Sequence, residues 1–108
     1  MRFPSTRQKS KVINLVYRMT QAIYGNQVNI ARDSLGKMYE INRFAVFLDA
    51  GHVTPKEMHK RLKASLIDKL NAEDGEYGIL TYKDKSGAIV RISMEVGMRK
   101  NTLYIMVH

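Results

Sequence analysis

Arginine, lysine, asparagine and glutamine pair with phosphate oxygens and base edges, and five of them recur here as Arg7, Lys11, Asn14, Arg18 and Gln21. At about 100° per residue these positions stay within about 40° of one line along a helix. Guanidinium and ammonium groups take phosphates or guanine edges, and the two amides can pair bidentately with adenine. No acid interrupts the series. The first Asp or Glu of the chain is Asp33, and residues 1–32 hold six cations, Arg2, Arg7, Lys9, Lys11, Arg18 and Arg32. Most of the net charge of +8, which comes from 18 Lys plus Arg against 10 Asp plus Glu, therefore lies at the front.

A solvated helix face ordinarily mixes glutamate among its lysines, for i,i+4 support and solubility. A stripe without acids points instead to an anionic partner. The candidate nucleic-acid contacts are Arg2, Arg7, Lys9, Lys11, Asn14, Arg18, Gln21 and Arg32. Residues 1–4 form a short flexible arm, from which Arg2 would reach a phosphate or the minor groove. The competing reading is a plain solvent face with a basic tail.

Other chemistries find less support. With no cysteine, disulfides, thiolate catalysis and Cys-based zinc sites are excluded together. His52, His59 and His108 have no carboxylate at ligand spacing, so no metal and no cofactor is expected. No Gly-rich phosphate loop and no Ser-His-acid context stands out. The chain reads as a non-enzyme, with a small nuclease or toxin as the minority alternative. Lys56, Lys60 and Lys63 share one helix face, diluted by Glu57 and Asp68. Lys83, Arg91 and Tyr104 are candidates for the outer face of a sheet, where cations between aromatics can stack bases.

The elements that position these groups follow from periodicity and caps. Ser5 or Thr6 can cap a helix running to Tyr24, with Val12, Leu15, Val16, Met19 and Ile23 on its apolar side and Gly25 and Asn26 as its stop. Residues 27–41 fit a short helix ended by Gly36. In residues 42–48, NRFAVFL, the spacing of Ile41, Phe44, Ala45 and Leu48 favours helix over strand. Residues 30–44 share the cadence of a helix-turn-helix, but Gly36 falls five residues after Ala31 where four is usual. Thr54, Pro55 and Glu57 start an amphipathic helix over 55–71, carrying Met58, Leu62, Leu66 and Leu70. Strands over 77–83, 88–96 and 102–108 form a meander, with turns at 84–87 and 97–101. Val90, Ile92, Met94 and Val96 alternate with Arg91, Ser93 and Glu95. Tyr104 and Met106 would point outward from an apolar edge strand, which invites pairing either with an internal strand of the chain or in a homodimer through residues 102–108.

The expectation is one α+β domain over residues 1–108, with N-terminal helices and one long central helix packed on a C-terminal three-stranded antiparallel meander. With no bilayer-length apolar run, the protein is expected to be cytoplasmic with no membrane partner. The expected function is a small basic regulator that binds nucleic acid, DNA ahead of RNA. The alternative is an interaction protein, of the phage or mobile-element kind, that inhibits or adapts a larger host protein or nucleoprotein machine through an acidic surface.

Overall fold

The computed structural model of the protein describes residues 4–25, 28–31, 43–48 and 53–108, and for 28–31, 43, 44, 47 and 48 the backbone alone. The class is α+β. Helix α1 spans Thr6–Tyr24 and α2 spans Pro55–Leu70. Among the described residues, seven strands make two antiparallel sheets. The larger has the order β1 (Val28–Ala31), β2 (Arg43–Leu48), β7 (Thr102–Val107), β6 (Met94–Arg99). The smaller has the order β3 (Glu73–Asp74), β4 (Leu80–Lys83), β5 (Ile89–Ile92).

Both helices start where their caps dictate. The Ser5 hydroxyl accepts from the Gln8 N–H at 3.2 Å, and the Gln8 Oε1 accepts from the Ser5 N–H at 2.8 Å, a closed capping box. Thr54 accepts from the Glu57 N–H at 3.1 Å, with Pro55 at the first helical position. Asn71 ends α2 in the left-handed region at φ 53°, a conformation asparagine tolerates better than most side chains. Gly25 ends α1 with right-handed dihedrals instead, so its freedom to take positive φ is not used there.

One apolar cluster lies between the helices and the sheets. Val12, Ile13, Val16 and Met19 of α1 and Met58, Leu62 and Leu66 of α2 meet Leu103, Ile105 and Val107 of β7. Leu80, Val90 and Ile92 of the smaller sheet belong to the same cluster. On β7 the alternation is complete, with Leu103, Ile105 and Val107 buried toward the helices and Thr102, Tyr104 and Met106 half-buried on the other face. The two helices run antiparallel, since Tyr24 meets Arg61 near one end and the Ser65 hydroxyl reaches the Met19 sulfur at 3.4 Å further along.

Four expectations need correction. Residues 28–31 and 43–48 are strands, which corrects the helix expected over 42–48 and the start of the one expected over 27–41; residues 32–42, which hold the rest of that helix and most of the helix-turn-helix cadence, lie outside the described residues. The i, i+3, i+4, i+7 spacing over 41–48 is a coincidence of a continuous apolar run. A strand whose residues are buried on both faces loses the alternation that would mark it. Val46 and Ala45 are both buried although they point to opposite faces.

The apolar strand 102–107 is not an edge. β2 pairs along it, Val46 opposite Leu103 and Phe44 opposite Ile105, while β6 pairs on its other side. The interaction expected there is thus supplied by the chain's own β2, and no edge is left for a homodimer through 102–108.

The expected second strand divides at Ser93. Ser93 and His108 exchange backbone hydrogen bonds of 3.1 and 2.8 Å, and the chain passes from one sheet to the other without losing its alternation. Val90, Ile92 and Met94 stay buried, as the pattern predicts. The single meander therefore becomes two hairpins in two sheets.

The second turn is also shorter than expected. Gly97 lies inside β6, and only Lys100 and Asn101 connect Arg99 to its partner Thr102.

Candidate nucleic-acid interface

The sequence of α1, TRQKSKVINLVYRMTQAIY, contains no carboxylate. Its apolar side is fixed by Val12, Ile13, Val16 and Met19 entering the core, and the opposite side must then face solvent. Arg7, Lys11, Arg18 and Gln21 are exposed there and Asn14 is half-buried. From Arg7 to Gln21 the face runs about 21 Å at 1.5 Å per residue. No described acid forms an ion pair with Arg7, Lys11 or Arg18. Gln21 makes one long contact, its Nε2 donating to the Tyr17 hydroxyl at 3.4 Å.

The other predicted contacts separate from this group. Lys9 is half-buried and lies about 180° round the helix axis from Arg18, so it does not share the face. Arg2 and Arg32 lie outside the described residues.

Two charges from other elements complete the ends of α1. The helix has no acid in its first turn and no base in its last. At the N-terminal end the Gln8 Nε2 donates to Asp84 Oδ2 at 3.2 Å, which brings a carboxylate from the β4–β5 turn to the positive end of the helix dipole. Asp84 is itself held by its own turn, where Oδ1 accepts from the Ser86 hydroxyl at 2.6 Å and from the N–H groups of Ser86 and Ala88. The Ser86 hydroxyl, then the Ala88 N–H and the Gln8 amide, hold this carboxyl below its ordinary range, against a smaller opposing effect of burial.

At the C-terminal end the Arg61 guanidinium of α2 lies 5.3 Å from the centroid of the Tyr24 ring. Tyr24 is 2% exposed, and its hydroxyl is buried beside the Arg61 side chain. Burial raises the hydroxyl's pKa above its usual value, and the Arg61 charge and a hydrogen bond with the Arg61 side chain partly offset that. Neither Asp84 nor Arg61 could be assigned to α1 from sequence, because each arrives through a contact between distant segments. The sequence signals that exist are local: Ser5 and Gln8 at capping-box spacing, and a tyrosine at the end of an amphipathic helix.

The remaining cations are dispersed. On α2, Lys63 pairs with Asp74 at 3.0 Å, and Lys56 and Lys60 are exposed. Arg61 and Glu57 both act on Tyr24, which places that flank of α2 against α1. Lys83 and Arg91 belong to the smaller sheet, and Tyr104 faces outward from the larger one, on the side away from the helices. Tyr104 thus lies on the face of the larger sheet turned away from α1.

The described histidines are engaged structurally. The His59 Nε2 donates to the Met94 carbonyl at 2.9 Å, so that nitrogen carries the proton, and His108 contacts the Glu95 carboxylate at 2.8 Å. No cluster of three or more metal-ligating side chains occurs among the described residues, and no described helix is long and apolar enough to cross a membrane. No protein-family model, curated protein or solved structure matches the chain.

Proposed function

We propose that this protein binds nucleic acid, duplex DNA in preference to RNA, through the exposed face of α1, and acts as a small regulator by occupying its site. The observation that carries the reading is the arrangement of Arg7, Lys11 and Arg18 with Asn14 and Gln21 along one face of a 19-residue helix without an acid. A major groove about 12 Å wide admits such a helix, with the cations on phosphates and the amides at base edges. The phosphate contacts supply affinity at any sequence, and Asn14 and Gln21 are the residues able to discriminate adenine. Replacing Arg7, Lys11 and Arg18 together by Ala tests this. The fold should survive, since exposed substitutions change stability by about 0.5 kcal/mol or less each. Duplex binding should be lost, and a triple variant with wild-type affinity would refute the reading.

A second reading, a protein partner that the chain inhibits or adapts, is favoured by one observation. Tyr77, at the tip of the β3–β4 hairpin, is 93% exposed and held at φ 59°. A large aromatic kept in an unfavourable conformation while burying nothing suits an anchor for another protein. A stoichiometric complex that survives high salt and is lost on Tyr77→Ala would move this reading to first place.

A further inference from the structure

The larger sheet ends at β6, which pairs with β7 on one side and with no strand on the other among the described residues. Ser93 and His108 exchange both backbone bonds, which sets the rhythm of the ladder that follows. Glu95, Gly97 and Arg99 turn their N–H and C=O groups to β7, and Met94, Val96 and Met98 turn theirs outward. The Met94 carbonyl is taken by His59 of α2 at 2.9 Å, while the outward groups of Val96 and Met98 meet no described partner. The Met98 side chain beside them is 50% exposed. Proteins blunt such edges with proline, lysine or a bulge, but the register of β6 is unbroken and residues 96–98 are Val, Gly and Met.

The strand is complementary to itself about Gly97. Turned end for end, a second β6 brings its Met98 opposite Val96 and its Arg99 opposite Glu95. We infer that β6 is the interface of a twofold dimer, in which it pairs antiparallel with β6 of a second copy, Gly97 opposite Gly97. In that register the outward-bonding Val96 and Met98 form the hydrogen-bonded pairs. Glu95 and Arg99 fall in the non-hydrogen-bonded pairs, where facing side chains come closest. Both charged residues are exposed, on the sheet face away from the helices. Arg99 forms no ion pair with a described acid, and Glu95 contacts His108 through one carboxylate oxygen at 2.8 Å. A Cβ on Gly97 would meet nothing within 4 Å, so packing inside the chain does not call for glycine there. On the twofold axis its lack of a side chain lets the two backbones meet without a clash.

An axis through this pair stands perpendicular to the sheet, so both helix layers lie on one side of the joined sheet. Two α1 faces would then meet a duplex carrying inverted half-sites. That consequence rests on the proposed function, and the dimer does not. An edge contact this short belongs with interfaces below about 1,200 Å², so dissociation is expected at roughly 10–100 μM.

Sedimentation equilibrium of the full chain without nucleic acid, from about 1 μM to 1 mM, tests the dimer in the wild type, Glu95→Arg, Arg99→Glu and the double variant. Each single reversal sets like charges opposite one another twice over and should weaken the dimer about 10-fold. The double variant restores opposite charges and should return to within about 3-fold of the wild type. Amide exchange gives a second readout. Val96 and Met98 should gain protection as concentration rises, while Gly97, bonded to β7, is protected throughout. A wild type monomeric to 1 mM overturns the inference, as does a dimer indifferent to the single reversals or a double variant that does not recover. Protection of Val96 and Met98 that is independent of concentration also overturns it, since the chain itself would then cover the edge. A wild type that binds duplex DNA as a monomer refutes the dimer alone, and a dimer that ignores duplex DNA refutes the nucleic-acid reading alone.

Discussion

The Gln8 side chain joins the N-terminus of α1 to Asp84, 76 residues away in sequence, with its Nε2 3.2 Å from the carboxylate Oδ2 while its Oε1 closes the capping box on Ser5. One amide therefore satisfies a first-turn donor and fixes the β4–β5 turn against the helix. The acid held there supplies negative charge at a helix start that has none of its own. Gln8→Ala should remove both bonds and cost about 1 kcal/mol, a fall of roughly 4–8 °C in melting temperature. An unchanged melting temperature would show that the cap and the tie contribute nothing.

Asp84 should also shape the acid limb of the stability profile. Its folded-state pKa is lowered, first by the Ser86 hydroxyl. A carboxylate lowered in the folded state stabilises the protein above its ordinary titration range. That contribution is lost as pH falls through the lower folded value. Asp84→Asn should therefore melt below the wild type at neutral pH, and the gap should close below about pH 4. Melting curves at several pH values check this, and a gap that stays constant to low pH would contradict it.

Lys9 and Lys11 are two residues apart and face different ways. Lys11→Ala should weaken duplex binding and reduce the salt slope by about 0.9, as for one phosphate contact. Lys9→Ala should change the slope by less than about 0.3, because Lys9 lies off the face. Equal losses would mean that charge acts on the partner irrespective of helix geometry.

Tyr77 and Lys100 adopt positive φ values of 59° and 56°, where a Cβ is unfavourable. Tyr77→Gly and Lys100→Gly should each stabilise the fold by about 0.5–1 kcal/mol, readable as an increased denaturant midpoint. A destabilised Tyr77→Gly would show that the exposed ring packs in solution.

Ile105 is fully buried at the centre of the larger sheet, between Phe44 and Val96 in register. Ile105→Ala should cost about 3–4 kcal/mol through lost burial and a residual cavity. Against a typical total of roughly 5–15 kcal/mol, chemical denaturation will resolve this easily.

What the sequence made legible was local. The Ser5 cap and the 7-11-14-18-21 spacing mark α1, and Thr54-Pro55-Lys56-Glu57 marks the start of α2. The alternation from Val90 to Val96 marks one strand, but nothing in it announces that Ser93 is where the chain changes sheets. Residues 43–48 misled because burial on both faces erases the period that separates strand from helix. The central place of β7 was hidden because it depends on β2 arriving from far upstream. The same physics limited the site. A helix wheel groups Arg7, Lys11 and Arg18, but only the tertiary contacts bring Asp84 and Arg61 to the two ends of α1.

The central claim, that α1 presents its cations to phosphates, is tested most directly by the salt dependence of duplex binding in the wild type and in the variant with Arg7, Lys11 and Arg18 replaced by Ala. Each neutralised phosphate contributes about 0.9 to the slope of log K against log salt, so the wild type should fall with a slope of roughly −3 to −5. The triple variant should lose about 2.7 of that slope along with its affinity. Binding that is insensitive to salt, or a triple variant whose slope equals that of the wild type, would contradict the account.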